Sequence, residues 1–171
     1  MNELPATPSQ TIGPFFAVML PLVGDGEAAA GGHIRIEGRV FDGAGEPVGD
    51  AMIESWQPPG EETRDGRLVR CFSRPDGRFA FETVKPGRVP GFDERLQAPH
   101  LALSVFARGV LKRLVTRVYF ADEAANGTDP LLGSIADESA RASLVAACEG
   151  PGRYRFDVYL QGEKETAFFA L

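Results

Sequence analysis

From His33 onward apolar and polar residues alternate. Ile34, Ile36 and Val40 are apolar, with Arg35, Glu37 and Arg39 between them. A period of two puts alternate side chains on opposite faces, so the stretch predicts a half-buried β-strand. Asp42-Gly43-Ala44-Gly45 turns the chain, and residues 51–57 predict a second strand, ended by Pro58-Pro59-Gly60. Residues 61–67 are charged and loop-like. Two further strands, 68–74 and 78–84, flank the turn Pro75-Asp76-Gly77. Residues 85–99 form a long connection with no clear period, holding Pro86-Gly87 and Pro90-Gly91. Connections of this length in compact domains are often functional. Strands return at 101–107 and 113–120. Asp137 is placed to cap a helix over 138–147, with Leu144, Val145 and Cys148 as its apolar stripe and Gly150-Pro151-Gly152 as its stop. Residues 154–160 alternate again, and 166–170 predict a last short strand.

Many short strands, turn signals between them and one modest helix in the C-terminal half predict an all-β sandwich. The 171 residues suit a single domain with a real core. Residues 1–32 read as an N-terminal arm and linker, and 33–171 as the body. In the arm, Pro5, Pro8 and Pro14 disfavour helix for themselves and their predecessors. Ile12, Phe15 and Phe16 nonetheless need an apolar surface, so the arm is expected to dock on the body or on a partner.

Charge narrows the function. The chain carries a net −6 and shows no basic stripe, which argues against nucleic acid as a ligand. No apolar run approaches the ~20 residues that span a bilayer. The first residues, Met1-Asn2-Glu3-Leu4-Pro5, lack a basic stretch followed by an apolar run, so no secretory leader is expected. Cys71 and Cys148 have no framework spacing and read as reduced thiols of a cytoplasmic protein.

The usual chemical motifs are missing. There is no Gly-x-Ser-x-Gly elbow around which a serine triad could form, and no phosphate-cradling Gly-x-x-x-x-Gly-Lys-Ser/Thr run. The two histidines, His33 and His100, lie in no paired-ligand pattern. Arg108, closing an apolar strand before Gly109, reads either as an ordinary surface arginine or as a fork for a carboxylate.

The stretch Pro99-His100-Leu101-Ala102-Leu103-Ser104-Val105-Phe106-Ala107-Arg108-Gly109 resembles the metal-ligand strand of the intradiol ring-cleaving dioxygenases. Their pattern there is Pro-x-His-x-His, in which two histidines share one strand face and reach one ferric ion. His100 fits the first position, and Ala102 occupies the second. Residues 59–72, and those between Gly87 and His100, hold no tyrosine where the family carries its tyrosinate ligands. Thr11-Ile12-Gly13-Pro14, Tyr119-Phe120 after Thr116-Arg117, and the ending Gln161-Gly162-Glu163-x-Glu165-Thr166-x-Phe168-Phe169 also fit the family. Together they resemble the non-metal-binding subunit of its two-subunit members.

The resemblance implies a prealbumin-like β-sandwich and a homologous iron-binding subunit as partner in a hetero-oligomer. Non-haem Fe(III) would be held by that partner, with no metal ligand and no catalytic residue on this chain. The implied reaction opens protocatechuate with O2 between its two hydroxylated carbons, giving 3-carboxy-cis,cis-muconate. Thr11, Gly13, Pro14 and Arg108 would line the shared substrate pocket, with Arg108 reading the carboxylate. His100 is then expected to be a hydrogen-bonded structural residue. A reading from another class is a β-sandwich binding or assembly module without enzymatic role, since fold does not fix function.

Overall fold

A computed structural model describes residues 34–59, 66–91 and 94–170. The first alternating stretch forms β1 (Ile34–Phe41), with its even-numbered residues buried. The following turn is held by Asp42, whose side chain accepts from the N–H groups of Ala44 and Glu46 at 2.9 Å each. Four strands then match the expected positions closely: β2 (Met52–Gln57), β3 (Arg67–Phe72), β4 (Arg78–Thr83) and β7 (His100–Phe106). They are joined by β8 (Leu114–Phe120), β9 (Val145–Gly150), β10 (Arg153–Arg155) and β11 (Val158–Tyr159). The chain is mostly β. One nine-stranded sheet runs β11-β1-β10-β9-β8-β7-β2-β3, and β4 pairs with β1. β3 and β4 lie at opposite ends of this path, yet they are consecutive in the chain. The Pro75-Asp76-Gly77 turn joins them, with Gly77 at φ 76, so the sheet bends until it nearly closes.

Period two fills the inside of the bend. Ile36, Val40, Leu101, Leu103, Val105 and Val118 are all at 0% exposure in one core. A smaller core of Ala98, Tyr119, Leu132 and Leu144 sits against the His100 end of β7. It is covered by a 3-10 turn (Ala124–Thr128) and α1 (Pro130–Ser134).

Several sequence expectations fail in an instructive way. Asp137 caps a helix as expected, but α2 spans only Glu138–Ala142. The rest of the predicted helix is strand, because β9 pairs in parallel with β8, Tyr119 to Val145 and Phe120 to Ala146. The apolar Leu144-Val145-Ala146 run satisfies the sheet and the helix period equally, and tertiary pairing decides. Gly150-Pro151-Gly152 therefore turns β9 into β10 rather than stopping a helix. A single helix is also too few, since α1 begins at an Asp129-Pro130 step.

The expected strand 154–160 is split in two. At the break, Asp157 accepts the Arg39 N–H at 2.9 Å. Gly38 is required beside it, because an added Cβ would lie 1.8 Å from the Phe156 carbonyl oxygen. Residues 166–170 are not a ladder strand. Hydroxyls hold them instead, with Thr116 Oγ1 donating to the Ala167 carbonyl at 2.8 Å and Ser143 Oγ accepting from the Ala167 N–H at 2.9 Å. The connection 85–99 contains a two-residue hairpin, β5 (Val89–Pro90) against β6 (Leu96–Gln97).

Candidate functional site

β7 is the strand that resembles the intradiol ligand strand. Leu101, Leu103 and Val105 point into the core, so His100, Ala102 and Ser104 share the outward face. Across the ladder His100 faces Tyr119, and Ala102 lies between Arg117 on β8 and Trp56 on β2. Trp56 is 46% exposed and pairs with Leu68 on β3, which is 57% exposed. The face around Ala102 thus combines the Trp56 and Leu68 side chains with His100, Arg117 and the Glu54–Arg70 ion pair at 2.6 Å.

His100 is tied by its own backbone. Its Nδ1 lies 2.8 Å from the Ala98 carbonyl oxygen. A carbonyl only accepts, so Nδ1 carries the proton and Nε2 is left as an acceptor. Burial first, and the Arg117 charge second, push its pKa down to about 4. The ring is therefore neutral at physiological pH.

The other polar groups form one chain of hydrogen bonds. Arg117 Nη1 donates to Gln97 Oε1 and to the Tyr119 hydroxyl, both at 3.1 Å. That hydroxyl donates to Asp129 Oδ1 at 3.3 Å. Asp129 is 3% exposed. It also accepts from the Leu131 and Leu132 N–H groups at 2.9 Å, which caps α1, and from the Ala98 N–H at 2.7 Å. One carboxylate so fixes the helix, the residue before Pro99 and Tyr119 together. Burial raises the Tyr119 phenol to about 12, so it stays protonated and keeps donating to Asp129.

These residues do not fit a ferric ion. The strand offers one imidazole nitrogen, the second ligand position is a methyl group, and the adjacent phenol is neutral and already spoken for. No group of three or more His, Cys, Asp or Glu that could hold a metal lies among the described residues.

Arg108 sits elsewhere. It lies two residues past the end of β7, whose six steps from His100 to Phe106 span roughly 20 Å of extended strand. Its Nε lies 3.1 Å from Asp50 Oδ2, and its side chain is 66% exposed. Gly109 next to it takes φ 83 and lets the chain turn away. The structure therefore separates Arg108 from the ligand frame of its own chain. Thr11, Gly13 and Pro14, with Phe15 and Phe16, lie outside the described residues. The Arg117–Tyr119–Asp129 network was not foreseen. Its one sequence signal was Asp129-Pro130, an N-cap followed by proline at the first helical position.

A bent, mostly β sheet with an intradiol-type ligand frame defines the class. The family model described as Dioxygenase matches residues 20–162, and the chain belongs to that family. It is 42% identical to the protocatechuate 3,4-dioxygenase alpha chain of Burkholderia cepacia, over 99% of each chain. It is 30% identical to the beta chain from the same organism, over 80% of this chain and 67% of that one. Among solved structures it is similar to the dioxygenase domain of a carbohydrate-binding fusion protein from Streptomyces sp. SirexAA-E. There the TM-score is 0.61 at 26% identity, covering 91% of this chain and 98% of that chain.

Proposed function

We propose that this chain is the non-metal-binding alpha subunit of a protocatechuate 3,4-dioxygenase. One observation carries the reading: near full-length similarity to alpha chains in a chain whose ligand strand has His100 but Ala102. The homologous beta subunit holds the non-haem Fe(III), which when bound supplies the catecholate and oxygen chemistry. The alpha chain walls the pocket, orients protocatechuate and completes the hetero-oligomer. Correct placement of the ring contributes to rate without direct chemistry. The nearly closed sheet then corresponds to the prealbumin-like sandwich of the family. Neither Cys71 nor Cys148 is in a disulfide, which supports a reducing, cytoplasmic working compartment.

The pocket contributions fall on Thr11, Gly13 and Pro14 of the arm and on Arg108. The geometry around Arg108 supports its share. Asp50 anchors the guanidinium at Nε, and the exposed side chain can present its planar head to a carboxylate. Its separation from His100 along β7 supports a contact to a pocket on the partner rather than one on this chain. Co-expression with an iron-binding beta subunit tests the reading. Protocatechuate and O2 should be consumed together by the complex and by neither chain of the pair with comparable rate alone. Full activity of the beta subunit without this chain would remove the proposed role.

A further inference from the structure

The opposite end of the sheet carries a groove of about 240 Å³, whose lining includes Glu37 and Arg39 of β1, Arg78 of β4, Glu149 of β9, and Arg153 and Arg155 of β10. It opens where β10 gives way to β11 along β1. Four arginines converge there in a chain whose net charge is −6. Two of them are matched on the protein: Arg153 to Glu37 at 3.1 Å and Arg155 to Asp157 at 3.0 Å. The other two are not matched in that way. Arg39 and Arg78 are direct cross-strand partners in the β1–β4 ladder. Like charges directly opposite each other destabilise a sheet. The Arg78 guanidinium makes an exposed contact with Asp76 at 3.3 Å, and the Arg39 guanidinium has no ion pair among the described residues, Asp157 taking the backbone N–H instead.

We propose that this groove binds a small multivalent oxyanion, carboxylate or phosphate, between Arg39 and Arg78. Such a ligand converts the repulsive pair into two charge-assisted contacts, and the planar forks suit either oxyanion. The size agrees, since the groove falls below the roughly 300 Å³ at which drug-sized pockets begin. Glu37 and Glu149 also line it and oppose an anion. Glu37 is held by Arg153, so Glu149 is the main opposing charge. The groove lies on the face of β1, not of β7, so it is separate from the ligand frame.

The test is titration calorimetry on the full chain in its purified oligomer, with citrate and pyrophosphate as probes and chloride holding ionic strength constant. One site per chain is expected. Arg39→Ala and Arg78→Ala should each weaken binding at least tenfold, Arg39→Lys should recover part of the loss, and Lys164→Ala should change nothing. Citrate binding alone assigns a carboxylate ligand, pyrophosphate alone a phosphate, and both a shared oxyanion fork. Failure of both probes to bind above the chloride background overturns the proposal. So does an equal loss in Lys164→Ala, which would reduce the effect to general screening. If Arg39→Ala instead splits the oligomer, the groove is a subunit contact and the proposal falls.

Discussion

The two ends of the β7 strand teach different things. At the His100 end, polar groups are inward-looking: His100 on the Ala98 carbonyl, Tyr119 on Asp129, Arg117 on Gln97 and Tyr119. Each of these side chains is engaged by the fold itself, with the His100 Nε2 left over as an acceptor. At the Arg108 end the guanidinium is two-thirds exposed and held by one carboxylate at its Nε. The stretch that resembles a ligand frame is thus scaffold at one end, while the proposed anion contact at the other rests on an exposed guanidinium paired with Asp50.

The comparison breaks if the His100 end is not scaffold, and Asp129 tests that most strongly. Asp129→Ala strands the N–H groups of Ala98, Leu131 and Leu132 and the Tyr119 hydroxyl. Losing a buried, multiply bonded carboxylate costs roughly 3–5 kcal/mol. Urea unfolding should show that loss, with Asp129→Asn recovering part of it. A change below about 1 kcal/mol would mean that the carboxylate is not the hub of this region.

His100 gives a smaller, pH-dependent effect. Its pKa is 6.5 when unfolded and about 4 when folded. Above 6.5 both states are neutral and stability is full. Between 6.5 and 4 the unfolded chain takes up a proton that the folded chain refuses, so stability falls as pH falls through that window. At about 1.4 kcal/mol per tenfold in Ka, the total loss approaches roughly 3 kcal/mol. His100→Gln should flatten this part of the unfolding profile. An identical profile in the variant would show that other groups carry the acid sensitivity.

Arg108 sharpens the other side of the comparison. A charge-assisted hydrogen bond contributes roughly 1.5–3 kcal/mol, and about 1.4 kcal/mol is tenfold. In the assembled enzyme, Arg108→Ala should lower kcat/KM for protocatechuate by roughly ten- to a hundredfold. Plain catechol, lacking the carboxylate, should be nearly unaffected, and Arg108→Lys should recover part of the loss. Equal losses for both substrates, with the iron content of the complex intact, would make Arg108 a positioning residue.

What was legible in the sequence follows from what is local. Alternation placed β1, β2, β4 and β7 within a residue or two, because one buried face dictates period two. The Asp137 cap was legible because capping involves neighbours only, Ser139 and Ala140. Residues 143–148 were not, because their choice between helix and strand depends on β8, far away in sequence. The Asp129 hub joins residues 98, 119 and 129 through tertiary contacts that no spacing encodes. Arg108 was found through a resemblance, and its Asp50 partner, fifty-eight positions away, only through the fold.

In the proposed role this chain contributes pocket walls and no metal site. Iron analysis of the purified chain alone and of its complex with a beta subunit tests it most directly. No stoichiometric iron and no catecholate-to-iron absorption are expected for the chain alone, and one iron per beta subunit in the complex. Ala102→His should leave the first result unchanged, because one added imidazole supplies neither tyrosinate. Tightly bound iron near one per chain in the isolated protein would contradict the account.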